Sequence, residues 1–593
     1  MGTISDKLMR IINTKEDIRQ ALILKGYDVP TSIPFKEYAK MISDLPCKVD
    51  DFPKLPGDVT RWYFGGLTNE MMAAMDDPRI EDADHKGRFL SFKNFAWGGM
   101  SGVGGYVDNW NSSADWSINN YWVNSHTDHK LQLITASTVV QMKSNNIYNA
   151  ENVYKNILNV NGLTEAVNKG SVGGLRISAT DPITSKAIKT FSFDTDGVIQ
   201  ISFDDVLQDY CVVYFVYGNN TNDIDITIEQ LPLYPGALVF DGVDDYGVCD
   251  NFPILTKEKG YTVVALRQWI TRGKGALGLV SNVKNWLKDG AFLLEYRNIQ
   301  ADHLNKPISF GAIGSEMDLP HILTYQTSKS YNGVSITTGN FEGTDVLHVG
   351  KLAPTNVGTC INAAIWELVF LDHDATEEEL TKIKDYFVKT YPWLFPNQAW
   401  TVVGKTNEDK DRATIANITG NGNDLVLSNF GFAEGSGYNE EGEYAGYLVT
   451  DGVDDKIVSS VFGMGKDFTI VGDWKFIDNK KSGTGLVKGP SFYIYNTMIG
   501  LDLYINSGSV KNSLDGIKSI NAACSDGRAY DRNWNEILAN TGNVVGSGGT
   551  LEVSSSGGRF DRIAFKNLAI YPRILSKDDC IKAYNYLQTL KSK

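Results

Sequence analysis

Two apolar periods divide this chain. In residues 1–46 the hydrophobic positions recur at helical spacing, and beyond residue 60 they alternate or run continuously as in strands. Phe191 and Phe193, then Val198-Ile-Gln-Ile-Ser-Phe203, flank Asp196-Gly197 and predict a hairpin. Ile224, Ile226 and Ile228 point one way, and Cys211–Tyr217 is a continuous apolar strand. Two longer apolar strands, 363–371 and 563–571, are each followed by a short helix. Leu380, Ile383, Tyr386 and Phe387 mark the first helix, and Ile581, Tyr584 and Leu587 the second. Thr376 with Glu379 is a capping-box pattern, and Ser576 with Asp579 a looser one.

In the N-terminal stretch Leu8, Ile11, Ile12, Ile18, Ala21 and Leu22 predict one helix, stopped at Gly26. Phe35, Tyr38, Ala39 and Ile42 predict a second. Two small helices bury little surface alone, so 1–46 is expected to dock onto something else. Pro46, Pro53 and Pro56 mark 47–60 as a linker.

The strand pattern is duplicated. Asp-Gly-Val-Asp-Asp occurs at Asp241–Asp245 and again at Asp451–Asp455, in similar flanks from Tyr234 and from Tyr444. Downstream, runs ending at Trp269 and Trp474 match, then Gly278–Val280 matches Gly485–Val487. Upstream, Thr68-Asn69 matches Thr406-Asn407, and Asn94–Gly102 matches Asn429–Gly437. From Thr-Asn to the repeated pentapeptide is 173 residues in the first copy (68 to 241) and 45 in the second (406 to 451). The difference, 173 − 45 = 128 residues, is the size of a domain, so the first copy is expected to carry an insertion at 107–233. The expected fold is mainly β: a first sandwich from 61–106 and 234–395, an inserted β-sandwich, a second sandwich at 396–593, and the short helical segment ahead of them.

Composition adds limits. The 57 Gly, 28 Tyr, 26 Phe and 12 Trp among 593 residues suit turns between short aromatic and β-branched strands. A net charge of -15 argues against nucleic acid or an anionic membrane surface as partner. Cys47, Cys211, Cys249, Cys360, Cys524 and Cys580 form no CxxC pair and read as buried free thiols of a protein folded in a reducing cytoplasm. No signal peptide is visible, and no apolar run approaches the length of a membrane span.

Candidate chemistry is sparse. The Asp-Gly-Val-Asp-Asp carboxylates could hold Ca²⁺, but Asp-Gly is a strong turn former and the spacing is not that of an EF-hand. Gly273-Lys-Gly-Ala-Leu-Gly278 has the form GxGxxG, yet strand residues follow it, and a hairpin connection is expected. Glu316-Met-Asp318-Leu-Pro-His321 approaches the paired-carboxylate pattern of a glycoside hydrolase but has His321 where the last Glu belongs. His126 and His129 read as part of a polar loop. Trp110, Trp116, Tyr121 and Trp122 cluster in an Asn- and Ser-rich stretch. They read either as packing of the inserted domain or as platforms for sugar rings. With no complete nucleophile, carboxylate pair or metal cluster, the sequence predicts no enzyme, no cofactor and no metal.

Two resemblances follow from these residues. Leu238–Asp245, with its counterpart in the second copy, and the closing strand and helix near Ile570-Tyr-Pro-Arg-Ile-Leu-Ser576 resemble the first and last signatures of concanavalin A-like, laminin-G-type lectin jelly rolls. Thr14-Lys15, Ile18, Ala21-Leu22, Lys25-Gly26, Phe35 and Tyr38-Ala39 are similar to the start of structural proteins of tailed bacteriophages, and resemble fibre proteins of crAss-like phages. Together they imply a virion head or tail fibre, attached to other virion proteins through 1–46. They further imply a homo-oligomer (dimer or trimer) whose lectin-like domains face a host surface polysaccharide. The other reading is a bacterial carbohydrate-binding protein or glycoside hydrolase with a laminin-G-like fold.

Overall fold

The computed structural model describes residues 51–118, 123–127, 129–133, 139–149, 153–203, 206–218, 225–255, 259–270, 276–282, 293–297, 323–335, 344–351, 360–440, 444–477, 484–489, 492–496, 500–505, 512–515, 520–538, 547–553, 555–556 and 559–591. The helical segment expected at 1–46 lies outside them. Chain contacts define two compact units, Met1–Leu55 with Glu378–Tyr386, and Pro56–Glu377 with Phe387–Lys593. In the first, the rings of Phe52 and Tyr386 meet edge to face at 5.1 Å.

The fold is mainly β, and the duplication appears in its strand order. One sheet of the first copy runs Leu323–Thr327, Thr262–Trp269, Asn362–Leu371, Leu238–Asp241, Gly102–Val103, with Val59–Tyr63 also paired to Asn362–Leu371. The second copy runs Ile520–Cys524, Thr469–Phe476, Ile563–Tyr571, Tyr447–Val449, Gly437–Asn439, with Gln398–Thr401 paired to Ile563–Tyr571. The opposing sheets match as well. Ala276–Ser281, Leu347–Val349, Tyr246–Cys249 and Phe89–Lys93 correspond to Thr484–Gly489, Glu552–Val553, Lys456–Ser459 and Leu425–Ser428. In each copy side chains of both sheets close over one apolar core, around Trp62, Val263 and Ile365 in the first and Trp400, Ile470 and Phe565 in the second.

Hydrogen bonds repeat with the strands. Asn69 brackets Val103, accepting from its N–H and donating to its carbonyl, and Asn407 does the same for Tyr438. Ser101 donates to Asp245 at 3.0 Å and Ser436 to Asp455 at 3.1 Å. Trp97 and Phe432 both take positive φ, 51° and 49°, a conformation costly for an aromatic residue and kept in both copies.

Between Gly102–Val103 and Leu238–Asp241, which pair directly, the chain makes two five-stranded sheets that share a core including Leu158, Ile177, Ile201 and Tyr214. The corresponding second-copy strands, Gly437–Asn439 and Tyr447–Val449, also pair, with only a few residues between them.

Three expectations change here. Residues 47–60 do not end as a linker: Val59–Tyr63 is a strand in register with Asn362–Leu371, and the Asp58 N–H donates to Asp372. The predicted hairpin around Asp196-Gly197 is a crossing between sheets. Ala187–Phe193 pairs with Val172–Thr180, while Gly197–Ser202 pairs with Lys155–Asn161. Alternation fixes one buried face per strand, and these faces meet across the core, with the rings of Phe191 and Phe203 5.4 Å apart. Trp269 and Trp474 are not equivalent. Both partner strands skip one residue, at Leu266/Arg267 and at Asp473/Trp474, which aligns Arg267 with Trp474 and Leu266 with Asp473.

Candidate functional site

That bulge is where the two copies part. In the second copy Asp473 faces Asn567 and Trp474 faces Phe565, so Lys566 is the extra residue. The first-copy residue in this place is Trp366, buried and donating its indole N–H to the Pro235 carbonyl at 2.9 Å. Lys566 instead lines a cavity of about 410 Å³. One wall comes from the inserted sandwich, strands Lys155–Asn161, Ala187–Phe193 and Gly197–Ser202. The other comes from the second copy, strands Thr469–Phe476 and Ile563–Tyr571 and helix Lys577–Gln588.

Asp473 organises the second wall. Its carboxylate accepts from the Tyr447 hydroxyl at 3.0 and 3.1 Å and lies 3.7 Å from Lys566 Nζ, while its N–H donates to Asn567 Oδ1 at 3.1 Å. Lys566 also donates to Gln588 Oε1 at 2.9 Å. The ammonium groups of Lys475 and Lys566 lie 4.5 and 5.5 Å from the centre of the Tyr447 ring. Tyr584 joins the walls by donating to Gln200 Oε1 at 2.8 Å. Burial, with Asp473 near, holds the Tyr584 phenol well above its ordinary pKa, so it remains a hydroxyl donor. Across the cavity Lys189 Nζ lies 4.9 Å from the Phe191 ring centre. Two lining residues carry buried N–H donors without a hydrogen-bond partner among the described residues, Trp474 Nε1 and Gln588 Nε2.

The residues singled out in sequence fare differently. Trp110 and Trp116 are 1% and 3% exposed and pack edge to face against Tyr214 in the inserted sandwich. A ring enclosed in a core cannot stack on a sugar, so the platform role is corrected for both. Tyr121 and Trp122 lie outside the described residues, as do Glu316, Asp318 and His321. Of the histidines, His126 ends a strand, while His129 lies in the connection to the next strand, stacked on Tyr106 at 4.3 Å with Nε2 3.9 Å from Glu229. Of Gly273–Gly278, the part from Ala276 is strand.

Asp241, Asp244 and Asp245, and their counterparts Asp451, Asp454 and Asp455, bring carboxylates within 4.8 Å of one another. Hydrogen bonds to these carboxylates serve the turn. Asp245 accepts from the Asp241 N–H and Ser101, Asp241 accepts from the Val243 N–H, and Gly242 takes φ +83°.

The cavity was missed because its residues come from segments spread between 107 and 588. One signal was present: Lys566-Asn567 and Asp473 are polar positions inside otherwise apolar strands.

No protein-family model matches the chain, and neither does any curated protein. Several solved structures align with it weakly. A Trypanosoma rangeli sialidase in complex with sialic acid is 10% identical over 90% of this chain and 99% of its own, with a TM-score of 0.24. A truncated protein with a CBM32 and an alginate lyase domain is 9% identical over 45% of this chain and 97% of its own, with a TM-score of 0.16. The binding domain of botulinum neurotoxin serotype D is 8% identical over 58% and 90%, with a TM-score of 0.21. The expectation that the protein is no enzyme is withdrawn: sialidases, which are enzymes, are among the structures that align with it. Similarity at this level carries no reaction, substrate or catalytic residue over to this chain.

Proposed function

We propose that this protein binds carbohydrate, in the cavity between the inserted sandwich and the second jelly roll. The observation that carries the reading is the composition of the lining. Gln200, Asn521 and Gln588 offer amides, and the half-buried Phe191 offers a ring. Sugar hydroxyls pair with amide donors and acceptors, and the apolar faces of a pyranose pack on aromatic carbon. A concave site with a few convergent polar groups on an apolar frame is the usual form of a small-ligand site. Gln588 Nε2, without a partner among the described residues, is a donor that a bound hydroxyl would satisfy.

A glycan array probed with the full chain tests this. At least one glycan family is retained, and Gln588→Leu weakens its binding while the thermal melt stays cooperative. An array without any retained glycan refutes the reading. Attachment to a virion through 1–46, as a dimer or trimer, is a finer proposal supported by the sequence resemblance of that segment. Immunogold labelling of particles tests it, and particles without label count against it.

A further inference from the structure

The charge of the cavity runs against the charge of the chain. The protein carries a net -15. Yet Lys155 and Lys189 on one wall, and Lys475, Arg532 and Lys566 on the other, set five cations against Asp473, the one carboxylate among the described lining residues. Asp473 is engaged by the Tyr447 hydroxyl and by Lys566. The cations also have shape. Lys189 lies over the Phe191 ring, and Lys475 over Tyr447, so ring faces hold both ammonium groups in place. A cleft lined by one sign of charge in low-dielectric walls concentrates ligands of the other sign.

We propose that the ligand is an acidic saccharide, whose carboxylate or sulfate sits between the lysines of the two walls while its hydroxyls meet the amides. This rests on the carbohydrate reading above and narrows it to a substrate class. Lysine is the suitable residue, because a point-charge ammonium with three donors accepts either anion without a fixed bidentate geometry. Neither wall suffices alone, since Lys189 belongs to the inserted sandwich and Lys475 to the second jelly roll.

The test is calorimetric titration of the full chain with four probes: a galacturonate tetramer, a sulfated oligosaccharide, a neutral hexose tetramer and inorganic sulfate, each at low and high salt. The acidic oligosaccharides are expected to bind about tenfold or more tightly than the neutral one, and to weaken as salt screens the cavity. Lys189→Gln and Lys475→Gln each reduce that preference, and Lys475→Arg, which keeps the charge, retains most of it. The relative strength of the uronate and sulfate arms tells which anion is preferred. Equal binding of neutral and acidic tetramers, insensitive to salt, overturns this inference and leaves the carbohydrate reading standing. Binding of no saccharide overturns both. Inorganic sulfate that displaces the oligosaccharide at equal concentration reduces the site to an anion site and overturns the inference. A Lys475→Gln protein that melts differently from the parent is replaced by Lys189→Gln, whose half-exposed position tolerates change.

Discussion

The first and second jelly rolls share strand order, turn hydrogen bonds and a bulge, yet treat the bulge in opposite ways. In the first copy Trp366 fills it and Glu367, fully buried, accepts from Arg61 at 2.9 Å and from the Tyr391 hydroxyl at 3.0 Å. In the second, Lys566 and Asn567 stand in those places, and Ala399 stands where Arg61 does. A duplicated sandwich keeps its β framework by its apolar core and its turns. It leaves the bulge free to become a sealed ion pair in one copy and the wall of a cavity in the other.

The largest expected effect is on binding. Replacing 107–233 by a short Gly linker from residue 106 to 234 removes one cavity wall and is predicted to abolish saccharide binding while the first jelly roll still unfolds cooperatively. The second copy already joins the matching strands directly. Aggregation of that protein, or undiminished binding, speaks against the assignment.

Next comes the sealed copy. Arg61→Met strands the Glu367 carboxylate in a site with no solvent access and should cost about 3–5 kcal/mol in denaturant unfolding. An effect below about 1 kcal/mol, the scale of exposed pairs, contradicts the role given to this pair.

The two turns give a smaller, pH-dependent contrast. Burial pushes the Asp245 carboxyl up to about 7 and that of Asp455 to about 6. An unfolded Asp titrates near 3.9, as an approximate reference, so the native state binds these protons more tightly. Stability therefore falls as pH rises from about 4 to about 7 at Asp245, and from about 4 to about 6 at Asp455. Asp245→Asn should flatten the decline of the melting temperature between pH 6 and 7 more than Asp455→Asn does. Identical profiles for both variants remove the distinction.

The smallest effect is expected at the turn tips. Val243 and Val453 are 68% and 69% exposed, and Val243→Ser or Val453→Ser should change stability by less than about 0.5 kcal/mol. A larger change in only one would reveal a contact that the repeat hides.

The duplication was legible because Asp-Gly turns and apolar closing strands carry their signal locally, in a few consecutive residues. The 128-residue difference in spacing was legible for the same reason. The sheet crossing at Asp196-Gly197 was not, because alternation gives a strand a buried face and does not choose its neighbour. Nor was the burial of Trp110 and Trp116, since an Asn- and Ser-rich setting in sequence says nothing of the Tyr214 ring folded against them. The cavity was least legible. Lys189 and Lys475 are 286 residues apart (475 − 189), and only the folded chain brings their strands to opposite sides of one space.

The central claim is that the second copy, with the inserted sandwich, holds the ligand and the first does not. Hydrogen–deuterium exchange of the full chain, with and without a saturating acidic oligosaccharide, tests it most directly. The account predicts added protection in Ala187–Phe193, Thr469–Phe476 and Lys577–Gln588, and none in the counterpart strand Thr262–Trp269. Protection confined to the first copy, or spread equally over both, would contradict it.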